Sequence, residues 1–476
     1  MTNNMSESKL VNHLRLKGSL TANLAVTHAS SLSNIVDMFF LAGGSRRMSE
    51  QDIITVWNRA VTEDTLLALK CLFWARDVRG GAGERRFFRV IWDHIRSSMS
   101  AQIVHDLEPL IPEYGRWDDV WAGLPAIDHA TAMWFHKQLT EEKDGLLAKW
   151  LPRKGKIFSS MARHLELTPK ELRKLLVELS NTVEQKMCAK EFDTINYAHV
   201  PSVAMNRYRK AFLRNDSSRF IGFIDDVKAG KQEIKAGAIF PHEIAMKCLQ
   251  RHVDYAEKEA IVAQWDALPN YMEGANERII PVCDVSGSMT GLPMSVSVGL
   301  GVYISERNEG LFKDAFITFS GTPEMVFLKG DLFQRMNSLH TASWGYNTNI
   351  QATFNLILHR ATEAGLTDED MPTKILIISD MEFDSCGKNT NLEVIRAKYA
   401  AAGYTMPQLV FWNVNGRIGN SPATFDDQGV ALVSGFSPTI LKNILSGVIT
   451  TPEQFVLDVL NSERYDSISA ALTPAQ

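Results

Sequence analysis

Two aliphatic runs that each stop on an aspartate constrain this chain more than any other feature. Residues 278–283 (Arg-Ile-Ile-Pro-Val-Cys) lead into Asp284, and residues 374–379 (Lys-Ile-Leu-Ile-Ile-Ser) lead into Asp380. Short apolar runs of this kind read as strands buried on both faces. Residues 316–319, 324–328 and 408–413 read as further strands. Helical spacing marks 294–305, 349–364 and 392–402; in the second of these Ile350, Phe354, Ile357, Leu358 and Ala361 share a face. Strands that alternate with helices predict a doubly wound, mostly parallel α/β sheet. Ligands of such sheets sit beyond the carboxyl ends of the strands, where both aspartates fall.

Around these aspartates stand three hydroxyls. Ser286 and Ser288 follow Asp284 in Asp-Val-Ser-Gly-Ser-Met, and Thr348 lies in Gly-Tyr-Asn-Thr-Asn. Hard divalent cations such as Mg²⁺ take oxygen ligands and keep some water. Two carboxylates and three hydroxyls meet that demand while neutralising at most two charges, so the ion keeps an appetite for a further oxygen from a partner. Thr341 is the fallback for Thr348, and Glu382 or Asp384 are candidate outer acids. The plainer reading is that each of these residues only caps the helix that follows it.

Asp-Val-Ser-Gly-Ser-Met, the later Thr348 and the later Asp380 resemble the metal-ion-dependent adhesion site of von Willebrand factor A domains. The resemblance implies a six-stranded sheet flanked by helices over residues 276–476, with Mg²⁺ or another divalent cation at its upper edge.

At 476 residues the chain is long enough for two or three domains. No apolar stretch approaches eighteen residues, and the first residues lack the charged start and apolar core of a secretory signal. Five scattered cysteines without Cys-x-x-Cys spacing predict neither a disulfide frame nor a zinc site. A cytoplasmic protein without membrane contact is therefore expected. Catalysis finds no support: Val-Ser-Gly-Ser is not a hydrolase elbow, Ser286 replaces the second aspartate that a phosphoaspartate enzyme needs, and the histidines are scattered.

Residues before 276 read as all-helical, with successive amphipathic helices and no sharp repeat. Thr168, Pro169 and Glu171 form a capping-box start for a helix with Leu172, Leu175, Leu176 and Leu179 on one face. The apolar spacing of 56–73 breaks at 62–65, as between two helices. From 277 onward 13 Lys/Arg face 21 Asp/Glu, which leaves 37 against 34 before it. The excess concentrates in Lys149, Arg153, Lys154, Lys156, Arg163, Lys170, Arg173 and Lys174, then in Arg207, Arg209, Lys210 and Arg214 beside Tyr208 and Phe212. Such clusters suit phosphate neutralisation with base stacking, or form a solvated helix face.

Residues 74–86 carry Gly80, Gly81 and Gly83 among Arg76, Arg79, Arg85 and Arg86. They read as a phosphate cradle, or as a helix–helix turn whose arginines pair with Asp77 and Glu84. Trp117 and Trp121 read as core. The runs 76–86 and 114–120, placed ahead of an A domain, look like the TROVE module of Ro-type proteins. They are closer still to an uncharacterised family of phage and plant proteins with the same layout, which the runs 196–205 and 240–244 also match. This likeness implies HEAT-like helical repeats that bind small non-coding RNA in a ribonucleoprotein. The expected layout is a partly ordered tail over 1–30, a helical TROVE-like domain over 31–275 and an A domain over 276–476. Two functions stay open: an RNA-binding scaffold, or a module that captures an acidic protein partner through the metal.

Overall fold

A computed structural model describes residues 18–250, 252–275, 277–318, 323–341 and 348–472, with the side chains of 340 and 341 excepted. It combines many helices with a six-stranded mixed sheet. The strands expected at 278–283, 374–379 and 408–413 form as β3 Ile279–Cys283, β6 Lys374–Ser379 and β7 Gln408–Asn413. β4 Ala315–Thr318 starts one residue before the expected 316–319, whose last residue lies outside the described residues, and β5 Met325–Phe327 is shorter than the expected 324–328. β8 Val430–Ser434 completes the sheet, in the order β5-β4-β3-β6-β7-β8. β5 pairs antiparallel with β4, and every other pairing is parallel.

The order reverses between β3 and β6. From β3 the chain crosses through the helix Leu292–Arg307 to β4 on one side, and from β6 through Asn391–Ala402 to β7 on the other. A crevice opens at such a reversal because neighbouring crossovers leave in opposite directions. β3 and β6 are buried at every position, which their unbroken aliphatic sequences require.

The compact units cut the chain differently from its linear order. The first gathers residues up to Phe87, Phe240–His252 and Leu268–Asp466; the second holds Phe88–Ile239, Val253–Ala267 and Ser467 onward. The helices Asn34–Ala42, Glu50–Glu63 and Thr65–Arg76 therefore share a core with the sheet. Asn34–Ala42 lies on β8: Ser434 Oγ donates to the Phe39 carbonyl at 2.6 Å and accepts from the Gly43 N–H at 2.9 Å. Any side chain at Gly43 would meet the Ser434 backbone at 2.4 Å. Trp74 stacks on Phe39 at 3.7 Å between ring centroids. Asp64 closes one helix and caps the next, as the break in spacing implied.

The N-terminal stretch departs from both expectations made for it. Residues 1–17 lie outside the described residues. Residues 18–30 are not a tail: β1 Gly18–Leu20 and β2 Val26–His28 pair antiparallel, and the hairpin bridges to Asp384, Thr390 and Ser421 of the same unit. A three-residue strand is too short to show alternation, so the helical reading of this half passed over it.

In the second unit, Tyr197, Phe212, Phe220 and Phe223 pack as a buried cluster with Ile195, Val200 and Ile224. Pro169–Ser180 starts as its capping box predicts: the Thr168 hydroxyl accepts from Glu171 N, and the Glu171 carboxylate accepts from Thr168 N. Trp117 is core, 7% exposed against Trp134 and Phe135, and its indole N–H donates to Asp144 at 3.0 Å.

Candidate functional site

β3 and β6 are in register at Cys283 and Ile378, which sets Asp284 level with Ser379 and Asp380 one residue further along, both just past the strand ends. The Asp284 N–H still bonds to the Ile378 carbonyl at 2.9 Å, and this holds the two loops together. Asp284 is fully buried. Its carboxylate accepts from Ser286 N at 2.9 Å and from Ser379 Oγ at 2.6 Å. Burial, then the neighbouring Asp380, push its pKa up to about 6. Ser286 Oγ and Ser288 Oγ stand 3.1 Å apart, and the Ser288 hydroxyl in turn favours the ionised Asp380. Burial nonetheless raises Asp380. Gly287 and Ser288 are exposed, while Asp284, Ser286 and Asp380 are buried.

Thr348 enters from the third loop. Its carbonyl accepts from the Asp384 N–H at 3.0 Å and so ties it to the chain that leaves β6. Its side chain is fully buried, and its hydroxyl has no hydrogen-bond partner among the described residues. Asp380 Oδ2 is likewise buried without a hydrogen bond. Orphaned oxygens are costly in an interior, and they fit a donor set that accepts a cation. Among the described residues no three His, Cys, Asp or Glu side chains gather as ligands, so a cation here relies on two carboxylates and on hydroxyls. That is the donor chemistry of Mg²⁺. The Thr341 side chain, the fallback ligand, lies outside the described residues.

Three contributors escaped the sequence reading. Ser379 looked like the last residue of a strand, yet its hydroxyl holds Asp284 and accepts from Met381 N at 3.0 Å. Met381 turns the chain through φ 64°, a left-handed conformation unusual for a buried methionine, and Glu382 N then reaches back to Asp380 at 3.3 Å. Arg417, from the loop after β7, stands 3.2 Å from Glu382 and 3.8 Å from Asp380. A serine that ends an aliphatic run just before an aspartate is a readable signal; Arg417 offers none.

The basic residues divide into those buried in the packing and those exposed. Arg209 is 4% exposed and pairs with Glu257 at 2.9 Å, so it is corrected from an RNA contact to a buried ion pair. Arg153 is corrected as well: its guanidinium bonds to the carbonyls of Ala148, Leu151 and Leu176 and staples helices. Arg86 does the same for the Ser45 and Met48 carbonyls. Arg85 is half-buried and its Nε meets no acceptor, whereas Arg79 is exposed. Lys149 lies over the Trp150 ring, 3.9 Å from Glu184. Lys154, Lys156 and Arg163 are exposed on and beside the helix Lys156–His164, with Lys170, Arg173 and Lys174 exposed on Pro169–Ser180. Arg207, Lys210 and Arg214 form an exposed stripe on Ser202–Asn215, where Lys210 reaches Glu257 at 3.3 Å.

The glycine run is a turn, not a cradle. Gly81 packs so closely that a Cβ would come 1.9 Å from the Trp74 carbonyl oxygen. Asp77 pairs with Arg464 and Glu84 with Arg46, and the two carboxylates also accept from the backbone N–H groups of Arg79 and Arg86.

With this geometry in hand, the chain can be set beside known proteins. Residues 278–475 match a family model described as a domain of unknown function (DUF7788). Residues 21–108 and 136–275 match a second domain of unknown function (DUF2828). Neither description carries an activity. The "Uncharacterized protein L728" of Acanthamoeba polyphaga mimivirus is 28% identical over 504 residues, covering 93% of this chain and 87% of that protein. The crystal structure of the Deinococcus radiodurans RO (RSR) protein aligns with 14% identity and a TM-score of 0.40, covering 90% of this chain and 99% of that one. A likeness this loose carries no argument about function. No helix among the described residues is long and apolar enough to cross a membrane.

Proposed function

We propose that this protein is a non-catalytic binding protein that holds a divalent cation, Mg²⁺ by its ligand chemistry, at the carboxyl ends of β3 and β6. Asp284, Ser286, Ser288, Thr348 and Asp380 would hold it, directly or through water. The observation that carries the reading is the pair of buried oxygens without hydrogen-bond partners among the described residues, Thr348 Oγ1 and Asp380 Oδ2, with Thr348 tied to Asp384 and Asp284 tied to Ile378. The bound ion supplies an electrophilic place for an anionic group, which makes an acidic protein partner the expected guest. Calorimetric titration of Mg²⁺ and Mn²⁺ into the chelator-stripped chain tests this. Saturable binding that Ser286→Ala with Ser288→Ala abolishes, in a chain that stays folded, is expected. Equal binding in that variant would refute the site.

A second reading, non-coding RNA binding in the manner of Ro-type proteins, is favoured by the exposed cations of Lys156–His164, Pro169–Ser180 and Ser202–Asn215. RNA binding through phosphates would weaken steeply with salt, and Lys154→Glu with Lys156→Glu and Arg163→Glu should abolish it. Fluorescence anisotropy with structured and single-stranded RNA at low salt decides. No binding to either would sink it.

A further inference from the structure

Arg417 holds Asp380 loosely and Glu382 firmly. Its Nη2 stands 3.8 Å from Asp380 Oδ2, beyond a hydrogen bond, while Nη1 reaches Glu382 Oε1 at 3.2 Å. Glu382 itself cannot follow. It is buried, its carboxylate accepts from the Ala22 N–H and from the Asn420 amide at 3.3 Å, and its own carbonyl accepts from Asn23 at 2.7 Å. The N-terminal hairpin thereby fixes one end of the arginine's tether. The other end is free to move, because the Arg417 side chain is 44% exposed. Asp284, Asp380 and Glu382 are three buried carboxylates at these strand ends, and Arg417 faces the latter two. One positive charge does not balance them. A divalent ion at Asp380 would improve the balance but would meet the guanidinium across the same oxygen, and like charges in a poorly solvated pit repel strongly.

We propose that Arg417 is a resident competitor for the cation: it lends its charge to Asp380 when no metal is bound and withdraws toward Glu382 and solvent when the metal enters, so it sets the affinity of the site. The inference rests on the metal-site reading above, and it assigns Arg417 a role that runs opposite to that of a brace. Removing a brace weakens folding and binding together. Removing a competitor weakens the metal-free fold and tightens binding.

The test is Arg417→Gln in the full chain, with Arg417→Lys as the variant that keeps a charge without the planar fork. Two quantities are read for each: the denaturation midpoint in excess chelator, and the dissociation constants of Mg²⁺ and Mn²⁺ by calorimetry at constant ionic strength. For Arg417→Gln the midpoint should fall and the dissociation constant should tighten roughly two- to fivefold, about the worth of a partly exposed ion pair. Arg417→Lys should lie between it and the parent. Cation binding seen only in Arg417→Gln would support the proposal in its strongest form. Binding in the parent that is unchanged or weaker in Arg417→Gln overturns the competitor role and leaves the metal site standing. Absence of cation binding in the parent and both variants removes the metal site itself, and Arg417's role falls with it.

Discussion

Asp284→Asn should stabilise the metal-free chain at pH 8, against the usual expectation for a substitution at a fully buried, hydrogen-bonded residue. The Asp284 pKa is raised from 3.8 to about 6, so ionisation is harder in the folded state than in the unfolded chain. A raised carboxyl pKa penalises folding at every pH above it, and the penalty vanishes as pH falls below the unfolded value. The gap of roughly two units corresponds to about 3 kcal/mol at pH 8, falling to about half of that near pH 5. Asparagine removes the charge and keeps an oxygen for the Ser286 N–H. Its amide must face Ser379 Oγ, whose hydroxyl can turn to accept. Allowing about 1 kcal/mol for that weaker bond, the net gain at pH 8 is about 1–2 kcal/mol. Urea denaturation in excess chelator at pH 8 and pH 5 measures it, and the advantage should shrink on acidification. With Mg²⁺ at a hundredfold its dissociation constant the parent should gain about 2.7 kcal/mol while the variant gains nothing, so the ranking reverses. If Asp284→Asn is less stable than the parent at pH 8 without metal, the two aspartates are not held against their electrostatic preference, and the case for a cation loses its physical basis.

Arg209→Ala should cost about 2–3 kcal/mol in a denaturant titration, because it removes the buried partner of Glu257 and leaves that carboxylate only the half-exposed Lys210 ammonium; the exposed neighbour Arg207→Ala should change stability by under about 0.5 kcal/mol. Gly81→Ala should destabilise by more than about 2 kcal/mol or prevent folding, since its methyl would overlap the Trp74 carbonyl, and a thermal melt near the parent's would contradict the packing of that turn. Thr168→Ala should lower stability by about 1 kcal/mol through loss of the cap, with Thr168→Ser close to neutral under the same urea titration.

What sequence determined by itself was local. Buried strands announce themselves because burial on both faces favours an unbroken apolar run between the strand ends, so β3, β6 and β7 could be placed to within a residue. Capping residues act within three positions along the chain, so Thr168 could be read directly, while at 62–65 only the break between two helices was legible. The place of Asp284 and Asp380 beyond strand ends follows from the same logic, and that is why their convergence was foreseeable. Tertiary structure decided everything that depends on partners far along the chain. Charge composition could not tell that Arg209 is spent on Glu257, or that Arg153 and Arg86 hold carbonyls while Lys154 and Arg163 stay exposed, because exposure belongs to packing and not to residue type. Nor could it assign residues 18–87 to the unit that holds the sheet, since α-helical periodicity reports that a face is covered without saying by what. Arg417 belongs to the same class: its meaning comes from two acids more than thirty residues earlier, and only the folded chain brings it to them.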